Sequence, residues 1–240
     1  MADPLHQFEI HTIMPLQIAG IDVSFTNSSL FMVLAVFAST LFLVGGMMKS
    51  KAIPGRWQGL SEMTYEFVAS LLNENVGPKG RSYFPLIFTV FIFILMGNLL
   101  GMVPYSFTYT SHIIVTFGLA MLVFLAVTLI GIFKHGFHFF SLFFPKGAPV
   151  FMAPIIIPIE ILSYLSRPVS LSVRLFANMM AGHTMLKVFA GFTVALGLFG
   201  VAPLVVNTAL TAFEVMVALL QAYVFTILTC IYLHDAIHLH

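Results

Sequence analysis

Charge is what this sequence has least of. Only 8% of its 240 residues are Asp, Glu, Lys or Arg, against roughly 25% in a soluble domain. The net charge is +1 and the basic residues are scattered, so there is no stripe with which to hold nucleic acid. Cysteine is almost as scarce. Cys230 stands alone in an apolar run, which excludes an internal disulfide framework and a cysteine-based zinc site. No glycine-rich phosphate loop, nucleophile elbow or HExxH pattern occurs. The chain is therefore not expected to be an enzyme by itself or to carry a cofactor or metal. No cleavable signal peptide is expected either, because the first 24 residues are polar and include Asp3, Glu9 and Asp22.

What is present is apolar surface. Hydrophobic residues make up 60% of the chain and phenylalanine alone supplies 26. A soluble fold of this size could not bury so much, so the expected class is an all-α integral membrane protein. Apolar stretches near 25–48, 84–104, 112–133, 150–195 and 201–234 give about five crossings. The expected organisation is an external tail over 1–24 and a first transmembrane helix over 25–48. An amphipathic helix over 57–75, a transmembrane pair over 84–133 and a helical hairpin over 148–240 follow. In the 57–75 segment, Trp57, Leu60, Met63, Thr64, Phe67, Val68, Leu71 and Leu72 recur every three or four residues. That pattern suits a helix lying on the membrane surface, or one packed on a cytoplasmic partner.

Lysine and arginine predict the orientation. Lys49, Lys51, Arg56, Lys79 and Arg81 lie between the first two spans, and Lys134 and Lys146 between the third and fourth. The N-terminal tail and the 105–111 loop have none. The positive-inside rule then puts the N-terminus outside and the C-terminus in the cytoplasm.

The last two spans are too long to stand upright. Glu160 to Leu196 would run roughly 55 Å as one helix, well beyond the hydrocarbon thickness, so a strong tilt or a break is expected, with Pro168 a candidate kink. These two helices also hold the ionisable groups: Glu160, Arg167, Arg174, His183, Lys187 and Glu214, with the amides Asn178 and Gln221. Charge at membrane depth costs several kcal/mol and is normally turned toward a protein interface or a wet cavity. Arg167 and Lys187 stand close enough to helix ends to snorkel, whereas Arg174 does not. Pairing Arg174 with Gln221 and His183 with Glu214 across an antiparallel hairpin implies one turn near residue 198, where Gly197, Gly200 and Pro203 lie. His183 is half a turn out of phase with Arg174, so its pair with Glu214 could need an intervening water. Arg174 stays protonated and is a fixed charge. His183, Glu214 and Glu160 can titrate. A fixed cation between titratable ends suits two half-channels separated by an electrostatic barrier. The bland alternative is a buried pair that only sets helix register.

These residues resemble a known family. The run from Pro168 through Arg174 and Asn178 to Gly182-His183 is similar to the signature of subunit a of F-type ATP synthases. Leu220-Gln221-Ala222-Tyr223-Val224-Phe225, Leu228-Thr229 and Tyr232-Leu233 resemble that family's last helix. Pro54-Gly55, Asn98 through Pro104, and Pro158-Ile-Glu160 also match, so the resemblance covers about residues 54–234. It implies that Arg174 faces the carboxylates of a rotating ring of c subunits, alongside b-type peripheral stalk subunits, in a bacterial inner membrane. Protons would enter from outside past His183 and Glu214 and leave past Glu160, with Asn178 and Gln221 near the ring interface. Some members exchange the positions of the histidine and the glutamate. The arrangement here is similar to mitochondrial and alphaproteobacterial members. No added oxygen-ligand cluster suggests sodium, so protons are the expected ion.

A secondary transporter would usually show repeats and broken helices in both halves, whereas here the polar residues crowd into the last third. A haem subunit would want paired histidines within spans. Only His183 is clearly mid-helix. His112, His135 and His138 stand at span ends, and His234, His238 and His240 form a loose terminal cluster.

Overall fold

The computed structural model describes residues 8–15, 17–18, 21–22, 24–48, 51, 53–103, 106–143 and 150–238. Asp3, Lys49, Pro104, Tyr105, Lys146, His240 and the expected start of the hairpin at 148 lie outside the described residues. Six long helices carry the fold: α1 (Asn27–Met47), α2 (Arg56–Asn75), α3 (Phe84–Gly101), α4 (Ile113–His135), α5 (Ala153–Ala195) and α6 (Val201–Ile237). All except α2 are long and apolar enough to cross a bilayer. The chain is an all-α integral membrane protein.

Ahead of α1, residues Thr12–Met14 pair with Phe25–Thr26, and Gln17–Ile18 with Ile21–Asp22, in two small antiparallel ribbons. Thr26 then starts α1, its hydroxyl accepting the Ser29 N–H. Asn27 ties the segment down. Its side-chain amide donates to the Glu9 carbonyl, and its oxygen accepts the His11 N–H.

The expected amphipathic helix is α2, and its apolar side is divided. Val68, Leu71 and Leu72 are buried against α1, α3 and α6, whereas Trp57, Leu60, Met63 and Phe67 stay exposed. Ser61 donates to the Phe42 carbonyl at 3.2 Å, which fastens α2 to α1.

The main core lies where α3 and α4 pack against α5 and α6. Ile87, Ile94, Val123, Leu171, Leu175, Phe225 and Leu233 fill it. The α5 helix continues unbroken for 43 residues through Pro158 and Pro168. A left-handed Gly197, at φ 55°, and a single short turn over Gly197–Gly200 return the chain into α6.

Helical period sorts the side chains of α5 into two stripes. Leu171, Leu175, Met179 and His183 recur every fourth residue and are buried. Val173, Arg174, Ala177 and Asn178 lie on the uncovered side. On α6 the buried stripe is Glu214, Ala218, Gln221, Ala222, Phe225 and Thr229. The outer face of the hairpin is largely apolar, with Leu162, Val169, Phe213, Met216 and Leu220 all exposed.

Candidate functional site: a buried histidine–glutamate pair and an unpaired arginine

The buried stripes of α5 and α6 meet at His183 and Glu214. His183 Nδ1 lies 2.7 Å from Glu214 Oε1, and the two side chains are 9% and 4% exposed. No intervening water is needed, because His183 ends the inward stripe and so faces α6 directly. A buried carboxyl with no partner would be strongly disfavoured here, and the imidazole offsets that cost. Space for the carboxyl comes from Gly182, which has no side chain to fill it.

The other imidazole nitrogen is also engaged. His183 Nε2 lies 2.7 Å from Thr108 Oγ1, in the connection between α3 and α4. Nearby, the Thr110 hydroxyl donates to Asn98 Oδ1, and Asn98 Nδ2 donates to the Ala218 carbonyl at 3.3 Å. Thr108, Thr110 and Asn98 are all buried. Sequence reasoning missed this polar layer. The available signal was the concentration of Ser106, Thr108, Thr110 and Ser111 at the end of an apolar span.

Gln221 does not pair with Arg174 as its depth suggested. Its Oε1 accepts from Asn178 Nδ2 at 2.8 Å. Asn178 is one turn beyond Arg174 on the same face, so it reaches Gln221 and leaves the guanidinium uncovered. Arg174 is exposed, and it makes no ion pair or hydrogen bond among the described residues. Arg167 contrasts with it. Its Nη1 lies 3.0 Å from Asp235 Oδ2, and its guanidinium rests on the rings of Tyr164 and Tyr232.

Two cavities meet at the pair. One, of about 700 Å³, reaches from Glu9 and His11 on the N-terminal segment past Thr108 and Lys187 to His183. The other, of about 520 Å³, is lined by Glu214, Gln221, Asn178 and Arg174. His183 belongs to the first and Glu214 to the second, so the 2.7 Å contact spans the wall between them. Lys187 borders the first cavity, which gives it a location that sequence alone did not. Glu160 lies outside both cavities. It is half-buried, fourteen residues before Arg174 and roughly 21 Å from it along the axis. The rings of His234 and His238 lie 4.6 Å apart, but among the described residues no group of three side chains is placed to hold a metal.

Comparison with known proteins gives the family. The model of the family described as "ATP synthase A chain" matches residues 28–234. A protein of Rhodospirillum rubrum named ATP synthase subunit a is 57% identical over 241 residues, covering 100% of both chains. Proteins of the same name from Paramagnetospirillum magneticum and Rhizobium rhizogenes are 55% and 56% identical. They cover 100% of both chains, and 98% and 97% of the two chains, respectively. A match across nearly the whole length, on a chain whose polar residues gather within its last two spans, shows that this protein belongs to the ATP synthase A chain family.

Proposed function

We propose that this chain is the proton-translocating stator subunit of a rotary F-type ATP synthase, forming two aqueous half-channels against a ring of c subunits. Arg174 is the fixed charge between them. The observation that carries this reading is an exposed guanidinium with no ion pair or hydrogen bond among the described residues, on a largely apolar hairpin face. Arginine cannot shed its proton, so a cation there calls for a carboxylate from another subunit. A ring carboxylate meets that demand when ionised and leaves into lipid only when neutral.

The remaining groups fall into order around Arg174. Protons from outside reach His183 through the cavity beside Glu9 and His11, pass to Glu214, and enter the Arg174 cavity. Asn178 and Gln221 border the ring on this reading, and Glu160 serves the exit toward the cytoplasm. The N-terminus is outside and the C-terminus inside, as the lysine and arginine distribution predicts. The membrane is the bacterial inner membrane, b-type subunits complete the stator, and ATP chemistry belongs to other subunits.

The test is ATP-driven proton pumping in vesicles that hold the assembled complex. Arg174→Ala abolishes pumping while the complex remains assembled. Unchanged pumping would reduce Arg174 to a residue that only sets helix packing.

A further inference from the structure

We propose that Thr108 is a positioning residue of the proton path, whose hydroxyl selects the tautomer of His183; the inference rests on the reading given above. Thr108 Oγ1 has two neighbours: His183 Nε2 at 2.7 Å and the Gly101 carbonyl oxygen at 3.2 Å. A hydroxyl carries one hydrogen and can also accept. The carbonyl can only accept, and although it also accepts from the Ser106 hydroxyl at 3.0 Å, the Thr108 hydrogen is assigned to it. Nε2 must then be the donor to Thr108, and His183 carries a proton on Nε2.

The consequence appears at the opposite edge of the ring. With Nε2 protonated, Nδ1 of a neutral imidazole is a bare acceptor facing Glu214 Oε1 at 2.7 Å. The contact then closes in two ways: as carboxylic acid and imidazole, or as carboxylate and imidazolium. Both place one proton on the pair, and both are neutral overall. The opposite tautomer, with Nδ1 protonated and Nε2 bare, would pair a neutral imidazole with a carboxylate and leave a net charge of −1 in a buried site. Thr108 disfavours that form.

The geometry is built rather than incidental. Thr108 is 4% exposed. Its own carbonyl accepts from the Ser111 N–H and, at 2.6 Å, from the Ser111 hydroxyl, which fixes the turn. Thr108 approaches Gly101 so closely that a Cβ on residue 101 would lie 2.7 Å from Thr108 Cγ2. The other titratable groups facing His183 are Lys187 on α5 and Glu9 and His11 on the N-terminal segment, all lining the same cavity.

Thr108→Val keeps the shape and removes the hydroxyl, whereas Thr108→Ser keeps the hydroxyl. In assembled complex, Thr108→Val lowers ATP-driven pumping by about tenfold, the scale of losing a hydrogen bond to a buried chargeable group, and alters its pH profile. Thr108→Ser restores both. If Thr108→Val pumps like wild type with the same profile while His183→Ala does not, the inference fails and the proposed function stands. If both variants pump normally, the proposed function fails as well. A second readout needs no Thr108 variant. In wild-type complex carrying ¹⁵N-histidine, with the His183 signal assigned by its loss in His183→Gln, solid-state NMR shows Nε2 protonated. A neutral ring with its proton on Nδ1 would overturn the inference.

Discussion

Gly182 leaves the space that Glu214 occupies: a Cβ at residue 182 would lie 2.6 Å from Glu214 Oε1 and 2.8 Å from its carboxyl carbon. The two residues sit on opposite helices, so the carboxyl reaches His183 only because the backbone of α5 is bare at that turn. Gly182→Ala should favour the helix itself by roughly 1 kcal/mol and yet damage transport. Displacing a reacting group by about 1 Å can cost on the order of a hundredfold, so pumping is expected to fall by about ten- to a hundredfold in an assembled complex. Quenching of a pH-sensitive dye in vesicles measures this. Normal pumping by Gly182→Ala would show that the His183–Glu214 contact is dispensable.

Asn98 should matter for stability more than for transport. It is fully buried, donates to the Ala218 carbonyl and accepts from Thr110, which links α3, α6 and the connection between α3 and α4. Asn98→Leu leaves the buried Thr110 hydroxyl without its acceptor and removes the tie to the Ala218 carbonyl, at a cost of about 1–3 kcal/mol. Thermal unfolding of the detergent-solubilised complex should show a lowered midpoint, and an unchanged midpoint would mean that this layer contributes little.

Arg167 and Arg174 should separate cleanly. Arg167 is paired with Asp235, with side-chain exposures of 25% and 34%, and a partly exposed pair is worth about 1 kcal/mol or less. Asp235→Asn should therefore lower stability slightly and leave pumping close to wild type. A pumping loss comparable to that of an Arg174 variant would move Arg167 from helix fastening into the proton path.

His112 is a source of acid sensitivity outside the spans. It stands just before α4 and stacks on Phe107 with ring centres 5.1 Å apart, and its Nε2 is buried with no hydrogen-bond partner among the described residues. Burial lowers its pKa from the ordinary 6.5. Below that value the unfolded chain binds the proton more readily than the folded one, so stability falls as pH drops from 6.5 toward the lowered folded value. Above 6.5 the effect vanishes. His112→Phe should flatten the thermal midpoint between neutral and mildly acidic pH, and an equally steep decline would assign the sensitivity elsewhere.

Much of the architecture was legible because lipid imposes length and polarity together. The five spans, the amphipathic α2 and the overlong hairpin follow from apolar run length and the placement of Gly197 and Gly200. Depth matching also put His183 opposite Glu214. Phase was harder. Arg174 and Asn178 share a face, and nothing in their spacing says which of them reaches Gln221; backbone separation decides in favour of Asn178. Thr108 and Asn98 were invisible for a different reason. Their contacts join residues 75 and 120 positions apart, and a hydroxyl or amide near a span end carries no periodic signal. The division of α2 into a buried and an exposed apolar side likewise depends on which neighbours arrive.

The central claim is that the Arg174 guanidinium separates two wet paths, and passive proton flux tests it most directly. The sample is vesicles holding the membrane sector alone, with the ATP-hydrolysing part removed and the ring carboxylates capped by a carbodiimide to stop rotation. Wild type should be tight. A fixed cation opposes a passing proton by several kcal/mol at membrane depth, so Arg174→Ala should leak at least about tenfold faster even with the ring blocked. An Arg174→Ala sector as tight as wild type would contradict the account.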